Sequence, residues 1–450
     1  MRWARVRTPI PGPRSREWFE QEQSYIAPGL PSIALYARLA IARGEGAIVE
    51  DVDGNRFIDF FTGVGVAILG HAHPKWVRAV QEQAARIAVG SFTTQARAEL
   101  VRLLSEIAPG DIRRVQFYSS GAEAVEAALR LAKSYTKKRE FLGFWGGFHG
   151  KTGGVLGLLG DPFKHGLGPL MPGTYLTPYA DCYRCALGQT FPDCQWACVA
   201  FLRQKVLAET THDLAAIVVE PIQGTAGNVV PPPGYLQRLQ ACAREFGALL
   251  ICDETITGFG RTGKMFACEH DGVVPDVLVI GKGFGGGFPI TGILIREEVA
   301  HARPFANPSG SSSSFGGNPL AVAAALATVR VILEEDLVSR AARMGQFLLD
   351  RLATFPERYP FVGRVQGRGL MIGIELVADR QTRVPLDRRW TRMIFEECLR
   401  RGLIAMVYRP NMRLYPPLTL TEAIAEEAIA ILQEAFDVVA DRILAEAPGR

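Results

Sequence analysis

Two charged residues stand at the ends of apolar runs. Leu249-Leu250-Ile251-Cys252 leads into Asp253 and Glu254, and Val277-Leu278-Val279-Ile280 leads through Gly281 into Lys282 and Gly283. Each run reads as a buried strand that delivers one charged group at its C-terminal end. In an open α/β sheet, ligands bind outside the carboxyl ends of the strands. A lysine held there in apolar surroundings has its pKa lowered by desolvation, which frees a nucleophilic amine for Schiff-base chemistry. An aspartate there can pair with the protonated nitrogen of a heteroaromatic ring. Either residue alone would be ordinary. Glycine-rich turns beside both ends single out the pair.

Other predicted strand ends carry matching groups. Ser119-Ser120-Gly121-Ala122 follows the strand-like Arg114–Tyr118 and opens an Ala/Leu helix. Backbone N–H groups at a helix N-terminus bind phosphate, and the helix dipole favours the anion. The same residues also fit a plain capping box, Ser120 with Glu123. Gly146-Gly147-Phe148-His149-Gly150 places an aromatic between glycines, suited either to the face of a flat cofactor or to plugging a turn. Val218-Val219-Glu220-Pro221-Ile222-Gln223-Gly224 brings a carboxylate and an amide to a further strand end. A Schiff-base lysine, an aspartate for a ring nitrogen and a phosphate cup are together the protein side of pyridoxal 5′-phosphate (PLP) chemistry.

These groups need a scaffold. Apolar strand candidates at 141–144, 215–219, 249–252, 277–280 and 291–295 alternate with helical stretches, which predicts a mostly parallel sheet covered on both faces. Before it, 47–51 and 56–60 flank Asp53-Gly54-Asn55 in a predicted hairpin. Helices are expected over 74–87 and 96–107, and a long one begins at Pro319. A strand is expected at 370–377. The domain reading is an N-terminal segment of a small domain at 1–73, a large domain at 74–330 and a C-terminal small domain at 331–450. The glycine and serine runs at 283–287 and 309–314 are too short for linkers and read as loops that let backbone approach a ligand.

Composition excludes several classes. A net charge of +4, from 50 basic and 46 acidic residues, is too balanced to argue for a nucleic-acid partner. No apolar run reaches the ~18 residues that span a bilayer, and the Arg- and Pro-rich start is not a secretory signal. A cytoplasmic protein without a membrane partner is expected. Cys182, Cys185, Cys194 and Cys198 form C-x2-C-x8-C-x3-C in a loop excursion at 180–199. That spacing suits a structural thiolate metal site, two local disulfides or four free thiols. No catalytic metal is expected.

The ordered set Ser120-Gly121-Ala122, Phe148-His149-Gly150, Glu220-Pro221-Ile222-Gln223-Gly224, Asp253-Glu254 with Thr257-Gly258-Phe259-Gly260-Arg261-Thr262-Gly263, Gly281-Lys282-Gly283 and Ser313-Ser314-Phe315-Gly316-Gly317-Asn318-Pro319 resembles the class III aminotransferases. These are PLP enzymes of fold type I, with a mostly parallel large domain and a smaller α+β domain built from both termini. The resemblance spans about residues 30 to 440. It implies that Lys282 forms the Schiff base and then shuttles the proton, and that Asp253 keeps the ring nitrogen protonated. Ser120, Gly121 and Ala122 would hold the phosphate and Phe148 would stack on the ring. His149, Glu220, Thr255 and Ile256 would surround the cofactor. Ser313 and Ser314 would reach the phosphate of the neighbouring subunit, which implies a homodimer or a tetramer built from it. Arg413 matches the family's movable arginine, which grips the carboxylate of the acceptor. In the 4-aminobutyrate-type members a glutamate pairs with that arginine; here the position is Thr225. The implied activity is transfer of an amino group from an ω-amino acid or primary amine to an oxo-acid such as pyruvate or 2-oxoglutarate. The alternative on the same scaffold is an amino-acid racemase or epimerase.

Overall fold

The computed structural model describes residues 2–407 and 409–446. The chain divides into two units, Lys75–Val338 on one side and Met1–Pro74 with Ser339–Arg450 on the other. Met1, Tyr408 and residues 447–450, which fall in the expected terminal segments, lie outside the described residues.

The first unit is built on a seven-stranded sheet. Its strands lie in the order Ile112–Tyr118, Thr291–Arg296, Val277–Ile280, Leu249–Asp253, Leu214–Val219, Glu140–Phe144 and Thr174–Thr177. Thr291–Arg296 runs antiparallel to both neighbours, and the other six share one direction. The three central strands 214–219, 249–253 and 277–280 are buried at every position. Burial on both faces is why they read as unbroken apolar runs without alternation. Each Val, Leu or Ile so buried contributes about 1.5–3 kcal/mol relative to exposure. The helix Gly121–Thr136 packs its small residues Ala124, Ala127, Ala128 and Ala132 against this sheet. The helix Pro319–Glu334 is buried over most of its surface, and Asn318 caps its N-terminus through Ala321 N.

The strand Thr174–Thr177 was not expected. It lies at the sheet edge with only Thr177 buried, so it carries no apolar run to announce it.

The second unit holds two small sheets. One pairs Ile41–Glu45, Ile48–Asp51, Arg56–Asp59 and Leu403–Ile404; the other pairs Val362–Arg368, Met371–Leu376 and Asn411–Leu414. The expected hairpin is the 48–51/56–59 pair. Asp51 fixes its turn by accepting from Asn55 N at 2.8 Å, while Gly54 takes a left-handed φ of 81°. Helices Arg388–Arg400 and Glu422–Glu446 belong to the same unit.

Gly160 tests the close packing beneath the loop that leaves Phe144. A Cβ on it would stand 2.1 Å from Gly146 N and 2.5 Å from Phe144 O, both backbone atoms that cannot rotate aside. Gly160→Ala is therefore expected to destabilise the chain by about 1–3 kcal/mol. An unchanged melting temperature would show that this backbone can give way.

Candidate active site

Because six strands point the same way, their carboxyl ends form one edge, and the charged residues gather there. Asp253 is the last residue of its strand, Glu220 follows Val219 directly, and Lys282 comes two residues after Ile280. Phe148 and His149 lie on the loop after Phe144, and Gly121 opens the helix after Tyr118. Thr291 joins them because its strand is antiparallel and starts where the others end, opposite Tyr118. Together these residues line a cavity of about 350 Å³ with Ala122, Gly150, Lys151, Thr255 and Ile256. Clefts of about 570 and 490 Å³ lie elsewhere on the unit, but neither brings a buried carboxylate to a lysine.

Lys282 is half-buried and starts a short 3-10 turn, with a left-handed φ of 45°. A non-glycine residue in that region is strained, and such strain concentrates at functional sites. The preceding Gly281 leaves room for its neighbours: a Cβ there would meet Thr291 at 3.0 Å and Thr255 at 3.1 Å.

Asp253 is 3 % exposed. Its Oδ2 lies 2.8 Å from His149 Nδ1, and its Oδ1 accepts from Thr255 N at 3.1 Å and from the Thr255 hydroxyl. Burial alone would raise this carboxyl, but the bonds from His149 and Thr255 outweigh it and hold it below the usual range. For His149, burial alone would lower the imidazole, and the bond and charge of Asp253 reverse that and raise it. Each partner thus favours the charged form of the other, imidazolium beside carboxylate. Glu220 Oε1 accepts from Phe148 N at 2.8 Å and Oε2 from Gly224 N at 2.9 Å. Burial raises Glu220, and His149 only partly offsets it.

At the helix start Ser120 caps as expected, but Glu123 reaches back to Ser119 and not to the N-cap amide, so the reciprocal bond of a capping box is not made. Ser120 Oγ accepts from Glu123 N at 3.3 Å, and Glu123 Oε2 accepts from Ser119 N at 3.0 Å. Thr291 Oγ1 donates to Ser120 O at 2.9 Å. The cap and an anion seat are compatible: Gly121 and Ala122 line the cavity, and the Ser120 hydroxyl keeps its own hydrogen to donate.

Some expected residues sit elsewhere. Ser313 and Ser314 are on this unit but do not line the cavity of their own chain. Arg413 belongs to the second unit, in the strand Asn411–Leu414, where its backbone N donates to Met406 O at 2.9 Å. All eight cysteines are free thiols, so the two-disulfide alternative for the excursion is not realised. Burial, then the neighbouring Cys198, Cys194 and Cys185 thiols, push Cys182 up to about 11. Among the described residues no three His, Cys, Asp or Glu side chains are grouped to hold a metal ion. Two lining residues escaped the sequence reading. Thr291 looked like the start of one more apolar strand. Lys151 stands in no sequence motif singled out above; it is exposed, and its Nζ lies 4.6 Å from the Phe163 ring centroid.

The family model for class-III aminotransferases matches residues 33–436. The acetylornithine aminotransferase of Methanopyrus kandleri is 39 % identical over 401 residues, covering 88 % of this chain and 94 % of that protein. The leucine/methionine racemase of Thermococcus litoralis is 36 % identical over 420 residues, covering 92 % and 94 %. The solved structure of an amine transaminase from an uncultivated Pseudomonas species, in its PLP-bound form, aligns with a TM-score of 0.86 at 32 % identity, covering 92 % and 98 %.

The buried pair carries a pH signature. His149 is raised above 6.5, so its contribution to stability is complete below pH 6.5 and fades as pH rises through the raised folded value. Asp253 is lowered below 3.8, so its contribution is complete above that pH and fades as pH falls through the lowered folded value. His149→Gln is expected to cost about 3–5 kcal/mol at about pH 5 and to remove the alkaline decline. Melting curves from about pH 5 to about pH 9 check this. A variant as stable as the native chain at the acid end would refute the ion pair.

Proposed function

The chain belongs to the class-III aminotransferase family, whose cofactor is pyridoxal 5′-phosphate, and from that premise we propose that the cavity around Lys282 is where it transfers amino groups. The observation that carries the reading is the convergence of Lys282, a buried carboxylate below its usual range and a helix N-terminus on one cavity.

The residues present fit the cofactor. Asp253 is anionic and buried, which suits a protonated ring nitrogen. Phe148 and Ile256 are apolar walls suited to a flat ring, and the amides of Gly121 and Ala122 with the Ser120 hydroxyl suit its phosphate. When bound, PLP serves as the electron sink for the bond broken at the substrate carbon. Lys282 would hold the cofactor through Nζ, and the same amine would take the proton from the substrate carbon and return it as general acid. His149 keeps Asp253 charged while this happens, and Glu220 fixes the loop behind Phe148. Lys151, at the cavity lining, has no carboxylate paired with it among the described residues and suits the carboxylate end of an amino or oxo acid.

The proposed reaction moves an amino group from an ω-amino acid or primary amine to an oxo-acid such as pyruvate or 2-oxoglutarate. The proposed assembly is a homodimer in which Ser313 and Ser314 serve the partner's site. The free thiols suit a reducing cytoplasm. Among the described residues no helix is long and apolar enough to cross a membrane. A second reading, amino-acid racemisation, is favoured by the Thermococcus litoralis relative. It needs the same buried groups and differs in returning the proton to the carbon that lost it.

The test is the visible cofactor band of the purified chain. With an amine donor the band is expected to bleach, and to return with pyruvate or 2-oxoglutarate. If it persists while an L-amino acid loses optical activity without any oxo-acid, racemisation is the reaction. Lys282→Ala should lose at least about 10²–10⁴-fold in turnover. Lys151→Ala should raise KM about tenfold for carboxylate-bearing substrates and leave 1-phenylethylamine unaffected. Equal effects on both substrates would remove Lys151 from carboxylate binding.

A further inference from the structure

One carboxylate holds both apolar walls of the cavity. Glu220 binds Phe148 N and Gly224 N, and Gly224 lies beside Ile256, where a Cβ on it would make ordinary contact with that side chain at 3.4 Å. The position of Glu220 is therefore set by the end of its strand, and Tyr179 holds that end. The buried Tyr179 hydroxyl lies 3.1 Å from Glu220 O and 3.0 Å from Pro221 O. Its ring meets Phe144 edge-on at 5.8 Å, the last residue before the loop that carries Phe148. Tyr179 thus touches both chain segments from which the walls rise.

Tyr179 is itself backed by a ladder of rings. Tyr235 meets it edge-on at 5.2 Å, and Trp196 stacks on Tyr235 at 6.3 Å and 8°. The Arg238 guanidinium lies 4.6 Å from the Trp196 centroid on the tryptophan's ring face. Trp196 comes from the Cys-rich excursion. It has a left-handed φ of 66°, and Gln195 before it has 44°. That conformation costs an L-residue about 1–2 kcal/mol, and a bulky aromatic persists in it only where its surroundings over-determine it. No disulfide fastens the excursion, so ring packing is what holds Trp196 there.

We propose that Tyr179 is a positioning residue of the active site, acting through the backbone of Glu220, and that the excursion 180–199 serves as its buttress, with Trp196 bearing on it through Tyr235. The inference rests on the reading of the cavity as the PLP site.

The experiment titrates PLP into the cofactor-stripped full-length chain and records the visible circular dichroism of the bound band, which reports how the ring sits between its walls. Tyr179→Phe keeps the ring and removes the hydroxyl. It is expected to weaken PLP binding about five-fold and to change the ellipticity at equal occupancy. Trp196→Ala should move both readouts the same way, and Trp196→Phe, which keeps an aromatic face, should restore most of the native values. Native affinity and ellipticity in Tyr179→Phe and Trp196→Ala, with only the melting temperature lowered, would overturn the inference and leave the PLP reading intact. If the native chain took up no PLP, that reading would fall and this inference with it.

Discussion

Three ionisable side chains, Asp253, His149 and Glu220, are packed out of water in one place, and the cavity depends on how their charges settle. Each isolated ion would cost several kcal/mol in such surroundings. The only cation among the three is His149. Its direct partner Asp253 is held anionic, while Glu220, with only part of that charge acting on it, is raised. The remaining oxygens are satisfied by Thr255, by Phe148 N and by Gly224 N, so desolvation is offset bond by bond. Those acceptors fix the loops from which the walls rise. The same arrangement produces the electrostatics and the shape.

Neighbouring acids in the sequence take opposite fates. Asp253 faces the cavity. Glu254, one residue on, is fully buried and accepts from Ala267 N at 3.0 Å, Cys268 N at 2.8 Å and the Thr257 hydroxyl. Successive residues leaving a strand point to opposite sides, so a single step separates a group for chemistry from a staple that closes the 255–268 loop. Burial raises Glu254, and with its oxygens committed to that loop it serves structure.

Much of this was legible in the sequence because parallel strands buried on both faces leave unbroken apolar runs, and the residue after such a run marks the carboxyl edge. Lys282, Asp253 and Glu220 are all found that way, while Ser120 follows a strand broken by Arg113, Arg114 and Gln116 and is found by the glycine and the Ala/Leu helix after it. What escaped depends on contacts between distant positions. His149 and Asp253 are 104 residues apart, and nothing local announces their pairing. Thr291 reaches the edge only because its strand runs backwards. The strain at Lys282 and Trp196 is a matter of backbone dihedrals, which residue type alone does not encode. The cysteine spacing was conspicuous, yet the aromatic residues between the cysteines are what tie the excursion to the site.

The cavity divides into a buried half and a rim, and the division bears on reaction choice. Under the proposed function Lys282, Asp253 and His149 would serve proton removal whether the product is a new amine or an inverted centre, so they would not select between the two. Selection falls to groups that meet the rest of the substrate. Besides Lys282 and the buried His149, the cavity lining carries Lys151, exposed and unmatched by a carboxylate among the described residues. The uncharged Thr225, just beyond Gly224, leaves no acid at the position where the resemblance expects one. A substrate amine drawn to Lys282 and a carboxylate drawn to Lys151 would set two poles. Under the proposed function, how far apart a substrate carries them, one carbon in an α-amino acid or several in an ω-amino acid, would be the property this rim distinguishes.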